Sequence, residues 1–145
     1  MPKFGPLWIL LTVLYCSGIF YLSSFPDSDL PSPPLLEWPG SDKAAHATLY
    51  GGLAGLVALG LYRSNRGRIS LRTLFLAPVT FATLYGVSDE LHQAFVPTRS
   101  PDVLDLLADA AGATIFVGAY TAWIARSVRS IGAPAKGNST RLPGD

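Results

Sequence analysis

The chain has 145 residues, of which 49% are hydrophobic and 14% are charged, and its formal net charge is +1. Soluble domains carry charge on about a quarter of their residues, so this composition excludes an ordinary soluble domain and indicates that lipid surrounds part of the protein. The small net charge and the scattered basic residues also exclude a nucleic-acid-binding protein, which needs a clustered basic surface.

The single cysteine, Cys16, lies in an apolar segment near the N-terminus. It can form neither an intrachain disulfide nor a cysteine-based metal site. The segment lacks the small-x-small cleavage pattern of a signal peptide, and Tyr15 before Cys16 does not suit lipoprotein processing. We therefore interpret this segment as a retained membrane anchor.

The first transmembrane helix is predicted at about residues 4–25, because no charged side chain occurs between Phe4 and Phe25. At roughly 1.5 Å rise per residue, such a segment can cross a hydrocarbon core of about 30 Å. Residues 26–41 follow and are rich in proline and acidic residues. Because proline does not continue a helix, this segment is predicted to be an extended surface loop that is long enough to cover a site.

The second helix is predicted at about residues 43–62, a segment rich in small residues. Asp42 stands directly before it and is predicted to be its N-cap, accepting backbone N–H groups of the first turn. Gly51 and Gly55 form a small-xxx-small spacing that lets another helix approach closely in lipid. We interpret this spacing as a packing feature only.

Two further transmembrane helices are predicted at about residues 73–95 and 102–125. The third contains Pro78 and is therefore expected to be kinked. The fourth is apolar except for Asp105 and Asp109. Charged residues at this depth are unusual and usually have partners.

The resulting fold class is all-α: an integral membrane bundle of about four transmembrane helices in residues 1–125, followed by a basic tail, 126–145, that is predicted to be disordered. Most basic residues then lie at one end of the bundle, and only Lys43 and Arg99 lie at the other. The first group comprises Lys3, Arg63, Arg66, Arg68, Arg72, Arg126, Arg129, Lys136 and Arg141. Because positively charged short loops stay in the cytoplasm, both termini are predicted to be cytoplasmic in a multi-pass protein of the plasma membrane.

Polar residues concentrate in two segments, 42–50 and 89–109. The predicted topology brings both segments to the outer end of the bundle. In the second helix Asp42, His46 and Tyr50 are spaced by four residues and share one face, as do Asp105 and Asp109 in the fourth. An ionisable residue near the centre of a membrane helix costs roughly 2.5 to 3.5 kcal/mol. We therefore expect the acids of the fourth helix to face the protein interior.

Two interpretations of these residues stay open. Carboxylates one turn apart repel each other unless a cation or proton lies between them, and Arg99, Lys43 or a protonated histidine could supply that charge. The residues can thus form a purely structural polar plug in which Asp42 caps its helix and Arg99 pairs with Asp105. The other interpretation is a functional site, because so many costly polar side chains converge at one membrane face.

Acid–base chemistry needs a histidine or carboxylate that a second group orients. His46 with Asp42, and His92 with Asp89, have the required helical spacing. Metal binding by the two histidines and the carboxylates is conceivable. However, the sequence has neither a compact His-x-x-x-His spacing nor paired cysteines, so no metal and no cofactor is predicted.

Three motifs in fixed order identify a resemblance. They are Asp42-Lys43-x-x-His46-x-x-x-Tyr50, then Tyr85-Gly86-Val87-Ser88-Asp89-Glu90-Leu91-His92-Gln93-x-Phe95-Val96-Pro97-x-Arg99-Ser100, then Asp105-x-x-x-Asp109-x-x-Gly112. Together, over roughly residues 5–125, they resemble the VanZ-like family. The resemblance implies a small multi-helix bacterial membrane protein, from a family whose founding member is associated with resistance to the glycopeptide antibiotic teicoplanin.

The first functional hypothesis is a cell-envelope protein that acts on or binds a lipid-linked or cell-wall component at the outer membrane face and affects teicoplanin susceptibility. Its candidate catalytic residues are His46, His92, Asp89 and Glu90. Its candidate binding residues are Asp42, Lys43, Tyr50, Gln93, Arg99, Asp105 and Asp109, with Arg99 holding an anionic head group.

Two alternatives remain open. One is a non-enzymatic binder of a glycopeptide, a lipid carrier or a partner membrane protein, with the polar residues as a structural plug. The other is proton-coupled transport through Asp105 and Asp109. All three hypotheses have the lipid bilayer as a partner and none involves nucleic acid.

Overall fold

The computed structural model describes residues 2–26 and 40–132, and in those ranges all regular secondary structure is helical. The helices are α1 (Pro6–Ser23), α2 (Ser41–Ser64), α3 (Leu71–Gln93) and α4 (Val103–Gly132). Each of the four is long and apolar enough to cross a membrane. The predicted all-α bundle of about four transmembrane helices is therefore confirmed.

Local chemistry explains where α1 and α3 begin. Pro6 occupies the start of α1, where its missing N–H would have had no helical partner. Ser70 caps α3, because its Oγ accepts the backbone N–H of Thr73 at 3.0 Å. α3 continues through Pro78 to Gln93, so the Asp-Glu-Leu-His-Gln motif is helical and projects from the last turns of a transmembrane helix.

The start of α2 differs from the prediction. Its N-cap is Gly40, with a φ of 92°, and this residue has no side chain that could cap the helix. Asp42 instead lies in the first turn, with 64% of its side chain exposed. There its negative charge is stabilised by the helix dipole, so the predicted N-cap role of Asp42 is wrong and its carboxylate is directed to other contacts.

α4 extends beyond the predicted end at residue 125 and reaches Gly132. Residues 126–132 of the predicted disordered tail are therefore helical, because adding residues to an existing helix is far easier than starting one and the first glycine after Gly118 is Gly132. The rest of the tail, 133–145, and most of the predicted proline-rich loop, 27–39, lie outside the described residues.

The central helix of the bundle is α2, which packs against the other three helices and most extensively against α4. Its buried residues include Leu53, Ala54 and Ala58, all with no exposed surface. α1 lies at the edge and exposes large apolar side chains such as Leu10 and Leu14. An apolar exterior around a partly polar interior is the distribution expected of a protein in lipid.

Glycines allow α2 and α4 to approach closely. A Cβ atom at Gly112 would overlap the backbone carbonyl of Ala47, and one at Gly51 would lie 2.6 Å from Phe116 Cδ2. A Cβ atom at Gly55 would meet nothing within 4 Å. Of the two glycines in the predicted packing motif, only Gly51 therefore serves a close helix contact.

The helices alternate in direction, which separates two chemically different ends. At one end, Gly5 N–H donates to Ser64 Oγ at 2.9 Å, and the amide of Asn65 donates to the Lys3 carbonyl at 2.8 Å. These bonds join the start of α1 to the end of α2. The opposite end collects the start of α2, the end of α3 and the start of α4, and it carries all three sequence motifs.

Candidate functional site

We use the name polar cluster for the ionisable and polar side chains at the motif-bearing end, between α2, α3 and α4. Seven of these side chains are buried, although polar and ionisable side chains usually lie at the protein surface. The cluster consists of Asp42, Lys43, His46, Tyr50, Asp89, Glu90, Gln93, Asp102, Asp105 and Asp109. The expectation that Asp105 and Asp109 face the protein interior is confirmed, since they are 6% and 0% exposed.

Lys43 connects α2 to the start of α4. Its Nζ donates to Asp105 Oδ1 at 2.6 Å and to Asp102 Oδ2 at 2.7 Å, and it lies 3.6 Å from Asp42 Oδ2. The sequence left several candidate cations open as the partner of Asp105, and the structure shows that this partner is Lys43. The predicted plug had used Arg99, whose Nε donates instead to the carbonyl of Phe25 at 3.2 Å.

Asp102 has two functions in this arrangement. Its Oδ1 accepts the backbone N–H of Leu104 at 2.8 Å and so caps α4. Its hydrogen bond from the Lys43 ammonium group holds the pKa of this carboxyl below its ordinary value. Asp102 thereby stays ionised while it fixes the position of Lys43.

A buried histidine–carboxylate pair forms the centre of the polar cluster. His46 Nδ1 lies 3.0 Å from Asp109 Oδ1, and the two side chains are 10% and 0% exposed. A Cβ atom at Gly86 would lie 2.5 Å from Asp109 Oδ2, so only glycine at that position of α3 leaves room for the carboxylate. Asp109 orients the imidazole, which fixes the direction of its second ring nitrogen.

Tyr50 lies one turn below this pair and encloses it from the membrane interior. Its ring is nearly parallel to that of His46, with centroids 6.1 Å apart, and it also contacts the ring of Tyr85 at 6.3 Å. On α3, Gln93 Nε2 donates to Asp89 Oδ2 at 3.1 Å. The cluster is thus closed below by aromatic rings and on one side by an amide–carboxylate pair.

Some buried oxygen atoms of the cluster have no hydrogen-bond partner within the described ranges. These are Glu90 Oε1, Asp109 Oδ2 and the Tyr50 hydroxyl. The other oxygen of Glu90, Oε2, accepts the backbone N–H of Asp102 at 2.8 Å. A fully satisfied plug would pair all of these atoms, because leaving a buried polar group unpaired is costly.

His92 and Arg99 lie apart from the His46–Asp109 pair and contact α1 and the residues after it. His92 Nε2 is 3.0 Å from Ser24 Oγ, and its ring centroid is 4.3 Å from that of Phe20. The predicted acid–base partner of His92 was Asp89, whose carboxylate instead contacts Gln93. His92 therefore joins α3 to α1.

The predicted pairing of His46 with Asp42 is also replaced, since His46 contacts Asp109 on another helix. Asp42 nevertheless remains near: ligand atoms of Asp42, His46 and Asp105 all lie within 4.8 Å of one another. Among the described residues, these three are the group that could hold a metal ion. The sequence-based prediction had assigned no metal.

Sequence reasoning did not select Asp102, Ser24 or Gly86 as site residues. Asp102 carried a signal, because an Asp directly before an apolar helical segment is a typical N-cap. Gly86 belongs to the second motif, but neither its role nor that of Ser24 follows from the sequence, since both roles depend on contacts with residues that are distant in the sequence.

Comparison with known proteins gives a match to a family model. A model of the family described as VanZ/LLP1 matches residues 7–125, a range that includes the whole polar cluster. No curated protein and no solved structure matches the chain. Because the family match extends over most of the sequence and over all three motifs, the chain belongs to the VanZ/LLP1 family.

Proposed function

We propose that the protein acts at the outer face of the plasma membrane, where the polar cluster binds a lipid-linked or cell-wall component and thereby changes susceptibility to teicoplanin. The observation that carries this proposal is the polar cluster itself. Buried acids from two helices surround a histidine at one end of the bundle, and some of their oxygen atoms have no partner in the described part of the chain.

The distribution of basic residues supports an outer location for the polar cluster. Arginines concentrate at the opposite end of the bundle, in the connection between α2 and α3 and in the last turns of α4. Such residues stay in the cytoplasm when loops are short. The same argument predicts that both termini are cytoplasmic.

The charge of the polar cluster favours a particular kind of ligand. Lys43 already contacts two carboxylates, Asp102 and Asp105, so it is poorly suited to bind an anionic head group. The exposed carboxylate of Asp42 and the unpartnered oxygen of Glu90 are able to accept hydrogen bonds from a ligand. We therefore favour an envelope component that presents hydroxyl or amine donors, as glycan and peptide portions do.

A catalytic role is the second candidate, and the His46–Asp109 pair favours it. A buried carboxylate 3.0 Å from one imidazole nitrogen orients the other nitrogen, which is the arrangement of a general base. In this version Asp89 and Glu90 would shape the site. His92 would position α1 through its contact with Ser24.

The test is expression in a susceptible Gram-positive host, with teicoplanin and vancomycin susceptibility measured at equal membrane levels of each variant. We expect wild type to raise teicoplanin tolerance, and His46→Ala and Asp105→Asn to abolish the increase. Arg68→Ala is the matched control, because Arg68 is an exposed residue at the opposite end of the bundle. It should retain the full wild-type effect.

The outcomes separate the two candidates. If His46→Ala loses the effect while envelope lipids and peptidoglycan stay chemically unchanged in wild-type cells, binding is supported. A modified envelope component that requires His46 supports catalysis. If wild type leaves susceptibility unchanged, or if His46→Ala and Asp105→Asn both match wild type, the proposed function is wrong.

A further inference from the structure

The polar cluster contains more negative than positive charge. Four carboxylates are buried there, on Asp89, Glu90, Asp105 and Asp109, and Lys43 contacts only the third of them. Ionised carboxylates are costly to bury without a compensating cation. A cation bound at the same end of the bundle would compensate this imbalance and could contact an oxygen such as Glu90 Oε1, which has no partner among the described residues.

Three side chains are close enough to share one metal ion. Ligand atoms of Asp42, His46 and Asp105 lie within 4.8 Å of one another. Ligands that are about 2.0–2.2 Å from a metal lie no more than about 4.4 Å apart, so small side-chain movements would bring all three to one ion. The exposed carboxylate of Asp42 would provide the entry side.

The His46–Asp109 pair is the feature that most favours a metal. A histidine that binds a metal through one ring nitrogen almost always donates its other N–H to a carboxylate or carbonyl group. Asp109 Oδ1 lies 3.0 Å from Nδ1 of His46, which would leave Nε2 to bind a metal. The fully buried Asp109 thus contacts the nitrogen opposite the metal-binding one and would hold the imidazole in place.

Glu90 provides an observation that is independent of the three proposed ligands. It is 7% exposed, and its Oε1 has no partner among the described residues. Its Oε2 accepts the backbone N–H of Asp102, whose carboxylate shares Lys43 with that of Asp105. The first oxygen of Asp105 and one oxygen of Asp102 are occupied by Lys43. A metal would therefore use the second oxygen of Asp105, and Glu90 would add a buried negative charge next to the three ligands.

We propose that His46, Asp42 and Asp105, with Glu90 beside them, form a binding site for one divalent transition-metal ion such as Mn²⁺ or Zn²⁺. Imidazole favours Zn²⁺ and related ions, and carboxylates favour Mn²⁺. Neither the candidate ligands nor Asp109 supplies a thiolate, which soft metals prefer. The metal would neutralise the buried acids and attach the start of α2 to the start of α4.

The experiment uses the full-length protein, purified in detergent and stripped with a chelator, and titrates it with MnCl₂. Electron paramagnetic resonance measures the free and bound Mn²⁺, and its pulsed form detects nitrogen that is coordinated to the metal. We expect one bound Mn²⁺ per chain with a histidine nitrogen signal, and stoichiometric displacement by Zn²⁺, which binds such sites more tightly than Mn²⁺.

Variants test the assignment of the ligands. His46→Gln should remove the nitrogen signal, and Asp42→Asn should weaken Mn²⁺ binding at least tenfold. Because Asp42 is exposed, that variant keeps the proposal testable if His46→Gln does not fold. His92→Gln is the matched control: it changes the other histidine, which contacts Ser24, and should retain both the affinity and the nitrogen signal.

Two outcomes would overturn the site: no saturable binding by wild type, or a nitrogen signal that persists in His46→Gln. Metal binding is measured on purified protein and is independent of any effect on teicoplanin. A protein that binds Mn²⁺ as described but leaves susceptibility unchanged would contradict the proposed function and support the metal site. The reverse result would support the function and contradict the site.

Discussion

The close contact between α2 and α4 can be tested by adding one methyl group at Gly112. A Cβ atom there would overlap the carbonyl oxygen of Ala47 and lie 2.6 Å from its carbonyl carbon. Carbon atoms pack best at about 3.5–4.0 Å, and backbone cannot rotate away as a flexible side chain can. Gly112→Ala should therefore force the two helices about 1 Å apart.

The expected cost follows from the contacts that such a shift would break. Overpacking costs about 1–3 kcal/mol. A separation of about 1 Å would also lengthen the 3.0 Å contact between His46 and Asp109 beyond hydrogen-bond range, at about 0.6 kcal/mol for an average interhelical hydrogen bond. Alanine recovers about 1 kcal/mol of helix propensity. The net loss should be about 2 kcal/mol.

Gly118→Ala is the matched control on the same helix. A Cβ atom there would be 3.8 Å from Phe75 Cε2, an ordinary contact, so this variant should gain up to about 1 kcal/mol of helix propensity. The two variants should thus differ by about 3 kcal/mol, or about 100-fold in the unfolding equilibrium. Reversible unfolding in mixed micelles with increasing dodecyl sulfate, followed by circular dichroism, measures the difference. Equal stability of the two variants would refute the close contact.

Three further predictions concern the polar cluster and use the same unfolding assay. His46→Ala should lose about 3 kcal/mol because it leaves Asp109 buried without its partner, and a double variant with Asp109→Ala should recover part of that loss. Lys43→Met should destabilise the protein by about 1–3 kcal/mol, whereas the exposed control Arg68→Met should change stability by less than about 0.5 kcal/mol. Gly86→Ala should destabilise the wild-type protein by about 1–3 kcal/mol, because its Cβ atom would lie 2.5 Å from the Asp109 carboxylate. In the Asp109→Ala background, which lacks that carboxylate, the same change should cause no loss. Equal losses in both backgrounds would contradict this contact.

The parts of the fold that the sequence predicted well depend on local properties. Four apolar segments, each long enough to cross a membrane, follow from counting uncharged residues, and the helices lie where those segments are. The inward orientation of Asp105 and Asp109 follows from the cost of exposing charge to lipid. Both inferences use only the apolar nature of the surrounding lipid and the periodicity of a helix, so they need no knowledge of which helices are neighbours.

The errors concern the choice among partners that were equally compatible with the sequence. Asp42 was predicted as an N-cap, but Gly40 takes that position with a left-handed conformation. His46 was paired with Asp42 in its own helix, whereas its contact is Asp109 on α4. Spacing along one helix identifies pairs that can meet, but it cannot weigh them against residues of another helix.

The sequence by itself therefore determined that lipid surrounds the helices, how many helices there are, and which end of the bundle carries polar residues. These features follow from the apolar length and the charge of each segment, which can be counted along the sequence. Only the tertiary structure decided that Lys43 holds Asp102 and Asp105, that Asp109 orients His46, and that His92 contacts Ser24 on the α1 side. These choices depend on the close approach of α2 and α4 at Gly112. The distance between two helices is a property of their joint packing, which neither segment contains alone.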